Sequence, residues 1–264
     1  MPTKKPSSKK PLSASKKVAN QYDNDNYNYL KYWDGRDYEH SAEEMAIRRL
    51  IDGKKFRHAV DIGGGYGRLC VLLNEYAEKV TLAEPALSQL KIAKDYLKSY
   101  PNIDQKLMQA DDLQFKNNSV DLITMIRVMH HLPDPSKEFA ELHRVLADDG
   151  YLVLELANYA HFRNRVKHFV KGRKLPLEPV DIRSIENQRE EEIPFVNHNP
   201  NTVIRQLDKA GFSVEKILSV SNLRSPGLKK VLPRGVMLSL EKVMQPTLSK
   251  TYFGPSVFFL LKKK

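Results

Sequence analysis

Short apolar runs and amphipathic segments follow one another in a regular order between residues 58 and 156, and this alternation restricts the fold more than any other feature of the chain. The apolar runs have the length of buried strands, and the segments between them repeat apolar residues at helical spacing. Strands are predicted at residues 58–62, 79–83, 105–108, 120–126 and 151–156, and helices at residues 68–74, at residues 86–98 and after Asp134-Pro135. Repeated strand–helix units of this kind predict an α/β fold, with a parallel sheet and helices on both of its faces.

The segments on either side of this alternation have a different character. Residues 157–198 are polar and irregular, apart from one basic amphipathic stretch. Ser41, with Glu44 three residues later, is a capping-box pattern and predicts that a helix begins there. Towards the C-terminus the patterns predict a helix from Asn199-Pro200 to Gly211, a strand at 212–220, a helix at 228–243 and a final strand at 256–261.

The positive charge of the chain is concentrated at its two ends. The formal net charge is +11, but residues 1–20 contain six lysines and no acid, and residues 262–264 are three more lysines. Without these nine lysines the chain has 34 basic and 32 acidic residues. The charge therefore does not predict a nucleic-acid-binding surface on the folded body. Residues 1–20 are predicted to be a disordered basic tail, either a solubilising extension or a weak contact for nucleic acid or anionic lipid.

Several classes of protein are disfavoured by composition. The apolar runs are too short to span a bilayer, and no apolar run follows the N-terminal lysines as it would in a secretory signal. Cys70 is the one cysteine in the sequence, so an intramolecular disulfide is excluded. A cytoplasmic location is the resulting expectation.

A glycine-rich turn follows the first predicted strand. Residues 59–68 read AVDIGGGYGR, so that an apolar strand ends in an acid and a glycine loop leads into a helix. Glycines at the carboxyl end of a parallel strand allow the backbone to approach a ligand closely. The spacing is not G-x-G-x-x-G, since Arg68 stands where the third glycine of a dinucleotide site would be, and no Gly-Lys-Ser/Thr follows as in a Walker loop. Asp61 would repel a pyrophosphate and attract an ammonium group.

Two further strand ends carry polar side chains. Glu84 follows the second strand, where a carboxylate can accept hydrogen bonds from both hydroxyls of a ribose. Residues 109–115 follow the third strand, where polar groups can meet an adenine edge. The three loops together fit a ligand with an amino-acid end, a ribose and a base but no phosphate, which is S-adenosyl-L-methionine.

These motifs give the sequence a family resemblance. Residues 55–157 resemble the class I S-adenosylmethionine-dependent methyltransferases, in the small-molecule branch (type 11) that includes the quinone-biosynthesis C-methyltransferases. The resemblance rests on DIGGGYG at 61–67, on Glu84, on residues 117–121 before strand four, on VMHHL at 128–132, and on residues 146–155 before and within strand five. It implies a Rossmann-like, doubly wound, seven-stranded sheet that is mostly parallel, with a last strand that is antiparallel and inserted beside strand five. It also implies that residues 21–264 form the methyltransferase domain, with a substrate-side insertion at 158–198.

The resemblance implies a set of cofactor-binding residues, although two positions depart from the family pattern. The set is Asp61, Gly63, Gly64, Gly65, Gly67, Glu84, Gln109, Ala110, Asp111 and Arg127. The family commonly has Asp where Gln109 stands, so either the Gln109 amide oxygen or Asp111 would accept from the adenine amino group. Residues 126–129 lack the Asn/Asp-Pro-Pro-aromatic motif, which argues against methylation of an exocyclic base amine or a glutamine amide. Arg127 could meet a carboxylate or lie at the edge of the core.

Other residues leave alternatives open. His130 and His131 are candidates for a catalytic base, but either could cap a helix or bond to the backbone, and no third ligand at a suitable spacing predicts a metal site. Residues 161–174 contain six Lys/Arg and no acid, and they are either an amphipathic helix packed on the domain or a contact for an anionic membrane or a phosphorylated acceptor. The aromatic residues within 22–38 either pack on the domain surface or cover a pocket.

The sequence therefore predicts transfer of a methyl group from S-adenosyl-L-methionine to a small-molecule acceptor of lipid-like or anionic character. The reaction depends mainly on the alignment of donor and acceptor, so a dedicated base is not required. Three alternatives stay open: an RNA methyltransferase, a non-catalytic cofactor-binding protein and a dinucleotide oxidoreductase. The near-neutral body argues against the first, and the glycine spacing argues against the third.

Overall fold

A computed structural model describes residues 32–184, 187–188 and 193–264. The N-terminal tail, residues 1–20, and the aromatic residues before Tyr32 lie outside the described residues. The helices are α1 (Asp37–Leu50), α2 (Arg68–Leu73), α3 (Leu87–Tyr96), α4 (Ser136–Val145), α5 (Phe162–Val170), α6 (Pro200–Lys209), α7 (Pro226–Val231) and α8 (Arg234–Thr247). The strands are β1 (Phe56–Ile62), β2 (Ala77–Glu84), β3 (Ile103–Leu107), β4 (Val120–Met125), β5 (Leu146–Ala157), β6 (Val180–Asp181), β7 (Val196–Asn197), β8 (Phe212–Val220) and β9 (Ser256–Lys263).

The main sheet has seven strands in the order β3-β2-β1-β4-β5-β9-β8. Strands β1 to β5 are parallel, and β9 is antiparallel to both of its neighbours, β5 and β8. The prediction of a doubly wound, mostly parallel sheet with an antiparallel last strand beside strand five is confirmed. The chain moves from β1 to one side and returns through β4 on the other, so the crevice between these strands lies at a topological switch point, where ligands bind in such sheets.

Apolar side chains cover both faces of the sheet. On one face the core is built with Ala46 and Leu50 of α1, Leu72 of α2 and Ala93 of α3. On the other it is built mainly by α4 and α6. Strand β9 alternates between the two, with Phe258 and Leu260 in the first core and Val257, Phe259 and Leu261 in the second. This two-sided burial explains why the C-terminal strand reads as an uninterrupted apolar run.

Two helix predictions were wrong in their limits. Helix α1 begins at Asp37 and not at Ser41, because Tyr38 extends the helix by packing against α8, where its hydroxyl donates to Glu241 at 2.7 Å. The helix predicted at 228–243 is two helices, α7 and α8. Pro233 separates them, since proline has no N–H to donate and forces the preceding residue out of the helical conformation.

The predicted insertion at 158–198 leaves and rejoins the domain at neighbouring points. The Tyr159 N–H donates to the His198 carbonyl, and the His198 N–H donates to the Ala157 carbonyl, each at 2.8 Å. The described part of this segment contains α5 and the short β6–β7 ladder. In the part of the chain that the structure describes, no helix combines the length and the apolar character needed to cross a bilayer.

Candidate active site

The loop between β1 and α2 needs its glycines for conformation and for space. Gly63, Gly65 and Gly67 all have positive φ, between 59° and 86°. A Cβ on Gly63 would lie 2.5 Å from Val128 Cγ2, and one on Gly67 would lie 2.6 Å from Leu97 Cδ1. The loop is therefore pressed between the segment after β4 and the helix that follows β2, with its backbone at the switch point of the sheet.

Glu84 holds this loop from the neighbouring strand. Its carboxylate is buried and accepts a hydrogen bond from the Gly65 N–H at 2.8 Å and another from the Ala86 N–H at 2.9 Å. Each carboxylate oxygen can accept more than one hydrogen bond. The side chain predicted to meet a ribose thus stands directly beside the predicted glycine loop.

Asp61 lies beneath the loop. Its carboxylate accepts from the Thr124 hydroxyl at 2.6 Å and from the Cys70 thiol at 3.7 Å, and a Cβ on Gly64 would lie 2.3 Å from its Oδ2. Burial raises the pKa of Asp61 to about 6. The carboxylate contacts the strand and the underside of the loop, so an ammonium group in the crevice would be on the other side of the glycine backbone.

The residues after β3 lie at the same edge of the sheet. The Met108 N–H donates to the Glu84 carbonyl at 3.2 Å, and a tight turn follows in which the Asp112 N–H donates to the Gln109 carbonyl at 3.2 Å. Gln109 is exposed, while Ala110 and Asp111 are half-buried. Both side chains predicted as adenine acceptors are therefore adjacent to the strand that ends in Glu84.

Arg127 occupies an unusual backbone position just after β4. Its φ of 62° is in the left-handed region, and its N–H donates to the buried Glu155 carboxylate at 2.9 Å. Its guanidinium, predicted to meet a carboxylate or to lie at the core edge, contacts the carboxylate of Glu43 on α1 at 3.2 Å. It also donates to the Tyr32 hydroxyl. The strained backbone thus aims a half-buried cation at the N-terminal helix.

Glu43 joins two loops of the crevice. It is buried and also pairs with Arg68, the first residue of α2, at 2.6 Å. The Arg68 guanidinium in turn lies 3.8 Å from the centre of the Trp33 ring and donates to His40 Nδ1. Residues 32 and 33 of the aromatic segment therefore pack over the first turn of α2 and the loop after β4. Sequence patterns did not identify a part for Glu43 or Glu155: Glu43 lies outside the family motifs, and Glu155 ends a matched segment in which no side chain was given a role.

The two candidate histidines belong to an aromatic cluster. The rings of His130 and His131 are 4.0 Å apart, and the His130 ring lies 4.3 Å from that of Phe195. His131 Nδ1 is 3.0 Å from the Pro194 carbonyl, and His198 Nε2 is 2.9 Å from the Met129 carbonyl. Burial lowers the pKa of His131 to about 4 and holds the pKa of His130 well below its ordinary value. Both imidazoles are neutral at pH 7.

Within the residues that the structure describes, the potential metal ligands do not gather into a metal site. No group of three His, Cys, Asp or Glu side chains there could hold a metal ion. Residues 161–174, the basic stretch, form α5 and the turn after it, and none of the α5 side chains is buried.

Comparisons with known proteins match the central part of the chain. A family model described as a methyltransferase domain matches residues 60–154. A ubiquinone/menaquinone biosynthesis C-methyltransferase from Pseudoalteromonas translucida is 31% identical over 115 residues, which are 41% of this chain and 46% of that protein. An uncharacterized methyltransferase, YcgJ, from Bacillus subtilis is 28% identical over 116 residues, 43% of this chain and 46% of that protein. The chain spans about half the length of the curated relatives it matches.

Solved structures share the fold at low identity. A Haloferax volcanii methyltransferase described as putative, in complex with the Trm112 methyltransferase activator, has a TM-score of 0.63 at 14% identity and covers 92% of this chain and 97% of its own. A protein from Thermotoga maritima described as a possible histamine N-methyltransferase has a TM-score of 0.60 at 18% identity, covering 89% of this chain and 94% of its own. At these identities the likeness shows the fold and not the acceptor.

Proposed function

Because this chain belongs to the class I S-adenosylmethionine-dependent methyltransferases, we propose that it binds S-adenosyl-L-methionine and methylates a small-molecule acceptor. The observation that carries the proposal is the pairing of Glu84 with the glycine loop, in which a buried carboxylate bonds to the Gly65 N–H at the switch point of the sheet. A buried acid at this position suits a ribose diol and disfavours a pyrophosphate.

The residues present fit this cofactor. A Cβ on Gly63 would fill the space beside Val128. A glycine at this position allows the backbone itself to come close to a ligand. Glu84 would accept from the ribose hydroxyls, and Gln109 or Asp111 would meet the adenine. Gly63, Gly64, Gly65 and Gly67 would line the amino-acid end, with Asp61 supporting them from below. S-adenosyl-L-methionine supplies a methyl group on a sulfonium centre.

The chain's own contribution to such a transfer is alignment and exclusion of water. Tyr32 and Trp33 pack over the loops after β1 and β4, where they would shield the crevice. His130 and His131, being neutral, could accept a proton or a hydrogen bond from an acceptor hydroxyl, but a displacement that removes the sulfonium charge does not require a base. Arg127 is committed to Glu43, so we assign it a structural part beside the site.

The acceptor we propose is amphiphilic or anionic. Two features support this: the chain resembles relatives named for quinone biosynthesis, and exposed apolar side chains lie on α5, which follows β5 directly. The expected cytoplasmic location belongs to the same proposal. The near-neutral folded body gives no support to a nucleic-acid acceptor.

Two measurements test the proposal. Calorimetry should show binding of S-adenosylhomocysteine and no binding of NADH. Incubation with S-adenosyl-L-methionine labelled on its methyl group, together with fractionated lipid and aqueous metabolites, should transfer label to a lipid-soluble or anionic fraction. Binding of NADH without S-adenosylhomocysteine would exclude a methyltransferase, and binding of the nucleoside with label transferred only to RNA would exclude a small-molecule acceptor.

A further inference from the structure

Helix α5 exposes the apolar side that an amphipathic helix normally buries. Its apolar residues stand at positions i, i+4, i+7 and i+8, which share one face. The fractional exposures are 48% for Phe162, 44% for Val166, 86% for Phe169 and 77% for Val170. A phenylalanine this exposed does not gain the free energy of burying a large apolar side chain. The exposed face therefore indicates a binding surface for something outside the described fold.

The same helix is surrounded by positive charge. Residues 161–174 contain six basic residues and no acid: Arg163, Arg165, Lys167, Lys171, Arg173 and Lys174. Within the described part of the chain, none of these six forms an ion pair with a carboxylate. An apolar face flanked by unpaired cations complements a surface that is apolar inside and anionic outside.

Helix α5 is attached to the domain at both of its ends. The Phe162 N–H donates to the Phe253 carbonyl at 3.0 Å, and the two rings are stacked at 4.9 Å. The Tyr159 hydroxyl is 3.3 Å from His168 Nε2, and Tyr159 is bonded through its N–H to the His198 carbonyl. Tyr159 therefore links α5 to His198, whose side chain bonds to the Met129 carbonyl after β4.

We propose that α5 is a membrane-contact helix, which inserts Phe169 and Val170 among the acyl chains of an anionic bilayer while its Lys and Arg side chains bind lipid headgroups. The charge complementarity selects an anionic lipid surface and not an apolar protein groove, because a protein partner would have to supply a matching acidic rim. Membrane contact by α5 requires neither bound cofactor nor turnover. Combined with the proposed function, it would bring the crevice to a lipid-dissolved acceptor.

Vesicle sedimentation with the full chain tests the inference. The wild-type protein should sediment with vesicles of phosphatidylcholine containing 30% phosphatidylglycerol and stay in solution with pure phosphatidylcholine. Phe169→Asp combined with Val170→Asp should lower the partition coefficient by about tenfold or more, since two apolar side chains lose their insertion. Leu87→Asp, at an exposed leucine in the first turn of α3, is the control and should bind as wild type.

A second comparison isolates the charges. The triple reversal Arg163→Glu, Lys167→Glu and Lys171→Glu should reduce partition onto the anionic vesicles by at least tenfold. The control is the reversal to Glu of three exposed lysines on and just after α3, namely Lys91, Lys94 and Lys98. The lysines of residues 1–20 act equally in both proteins, so the difference between the two reversals belongs to α5.

Three outcomes would overturn the inference. The first is a wild-type protein that stays in solution with anionic vesicles, and the second is a set of α5 variants that sediment as the α3 controls do. The third is RNA binding that is tighter than vesicle binding and that the α5 reversal abolishes. Calorimetry with S-adenosylhomocysteine separates this failure from that of the proposed function. The α5 variants should bind the nucleoside as wild type does whichever way the vesicle result falls.

Discussion

The Glu43 carboxylate on α1 lies 3.2 Å from the Arg127 guanidinium just after β4, although 84 residues separate them in the chain. The other oxygen of the same carboxylate is 2.6 Å from Arg68 at the start of α2. One buried acid therefore neutralises cations from the two loops that border the crevice, and it ties both to the N-terminal helix. This relationship makes α1 a part of the site even though it contains no residue of the recognised motifs.

Replacing Glu43 tests this connection. Glu43→Ala would leave two largely buried guanidinium groups without their carboxylate, and we expect the free energy of unfolding to fall by about 3–5 kcal/mol. Glu44→Ala is the matched control, because Glu44 is on the same helix and its contact with His40, at 3.8 Å, is partly exposed. Glu44→Ala should lower the free energy of unfolding by less than about 1 kcal/mol. Equal losses in urea titrations of the two variants would show that Glu43 has no special part.

Glu84 is expected to contribute directly to nucleoside binding. Glu84→Ala should weaken binding of S-adenosylhomocysteine by about 1–3 kcal/mol, because charge-assisted hydrogen bonds to the ribose are lost. The affinity of Glu84→Gln for S-adenosylhomocysteine should lie between those of the wild type and Glu84→Ala, since one carbonyl acceptor remains. Glu78→Ala, an exposed acid on the same strand, is the calorimetric control and should leave the affinity unchanged. Wild-type affinity in Glu84→Ala would remove this residue from the site.

Gly63 should be intolerant of a side chain for two separate reasons. Its φ of 63° costs a non-glycine residue about 1–2 kcal/mol, and a Cβ would also meet Val128 Cγ2 at 2.5 Å. Gly172→Ala provides the comparison, since Gly172 has a φ of 58° and no atom within 4 Å of an added Cβ. The unfolding free energy of Gly63→Ala should therefore fall further than that of Gly172→Ala. Combining Gly63→Ala with Val128→Ala should relieve the crowding but not the backbone cost.

The pKa of Asp61 predicts a pH dependence of stability. Burial raises this pKa from 3.8 to about 6 in the folded protein, so between these values the folded state binds the proton more tightly than the unfolded chain does. The free energy of unfolding should then decrease as pH rises from about 4 to about 6, by roughly 3 kcal/mol in total from this group. The contribution of Asp61 to the free energy of unfolding should be constant above that range.

Asp61→Asn isolates this contribution, since other groups titrate in the same range. The buried carboxyls of Glu155 and Glu241 also have raised pKa values, and they will act in the same direction. The quantity to measure is therefore the difference between wild type and Asp61→Asn in urea titrations at pH 4, 5, 6 and 7. A difference that is the same at all four pH values would contradict the assignment.

The histidine pair should not titrate at neutral pH. Because burial lowers the pKa of His131 to about 4 and that of His130 well below 6.5, their ring-proton NMR signals should stay fixed between pH 6 and 8. The sign of their effect on stability is opposite to that of Asp61, since the unfolded chain binds their protons more tightly. The free energy of unfolding should therefore increase through His131 as pH rises from about 4 to 6.5, and His130 acts in the same direction. A signal of either ring moving with a midpoint near 7 would restore it as a candidate base.

Local sequence patterns were enough to predict most of the sheet and to place polar residues and glycines at the ends of β1 and β2. The glycine loop and Glu84 were identifiable because their chemistry depends on a fixed position at a strand end, and the structure brings them within hydrogen-bond distance. The break at Pro233 also had a local signal, which was outweighed by the apolar periodicity around it. The partners of Glu43 and Glu155 had no local signal, since these contacts form only when α1, β4 and β5 pack together. Contacts across 28 to 84 residues cannot be inferred from periodicity.

The position of β9 has a consequence for how the protein is made. Strand β5 finds its partner about a hundred residues further along the chain, in residues 256–263, and β8 has no place in the sheet until β9 joins it. During synthesis the edge of β5 therefore stays open until the ribosome has released residue 263, with an apolar strand available for pairing between nascent chains. A chain interrupted before Ser256 would keep the edge of β5 unpaired, and it would depend on chaperones to avoid aggregation.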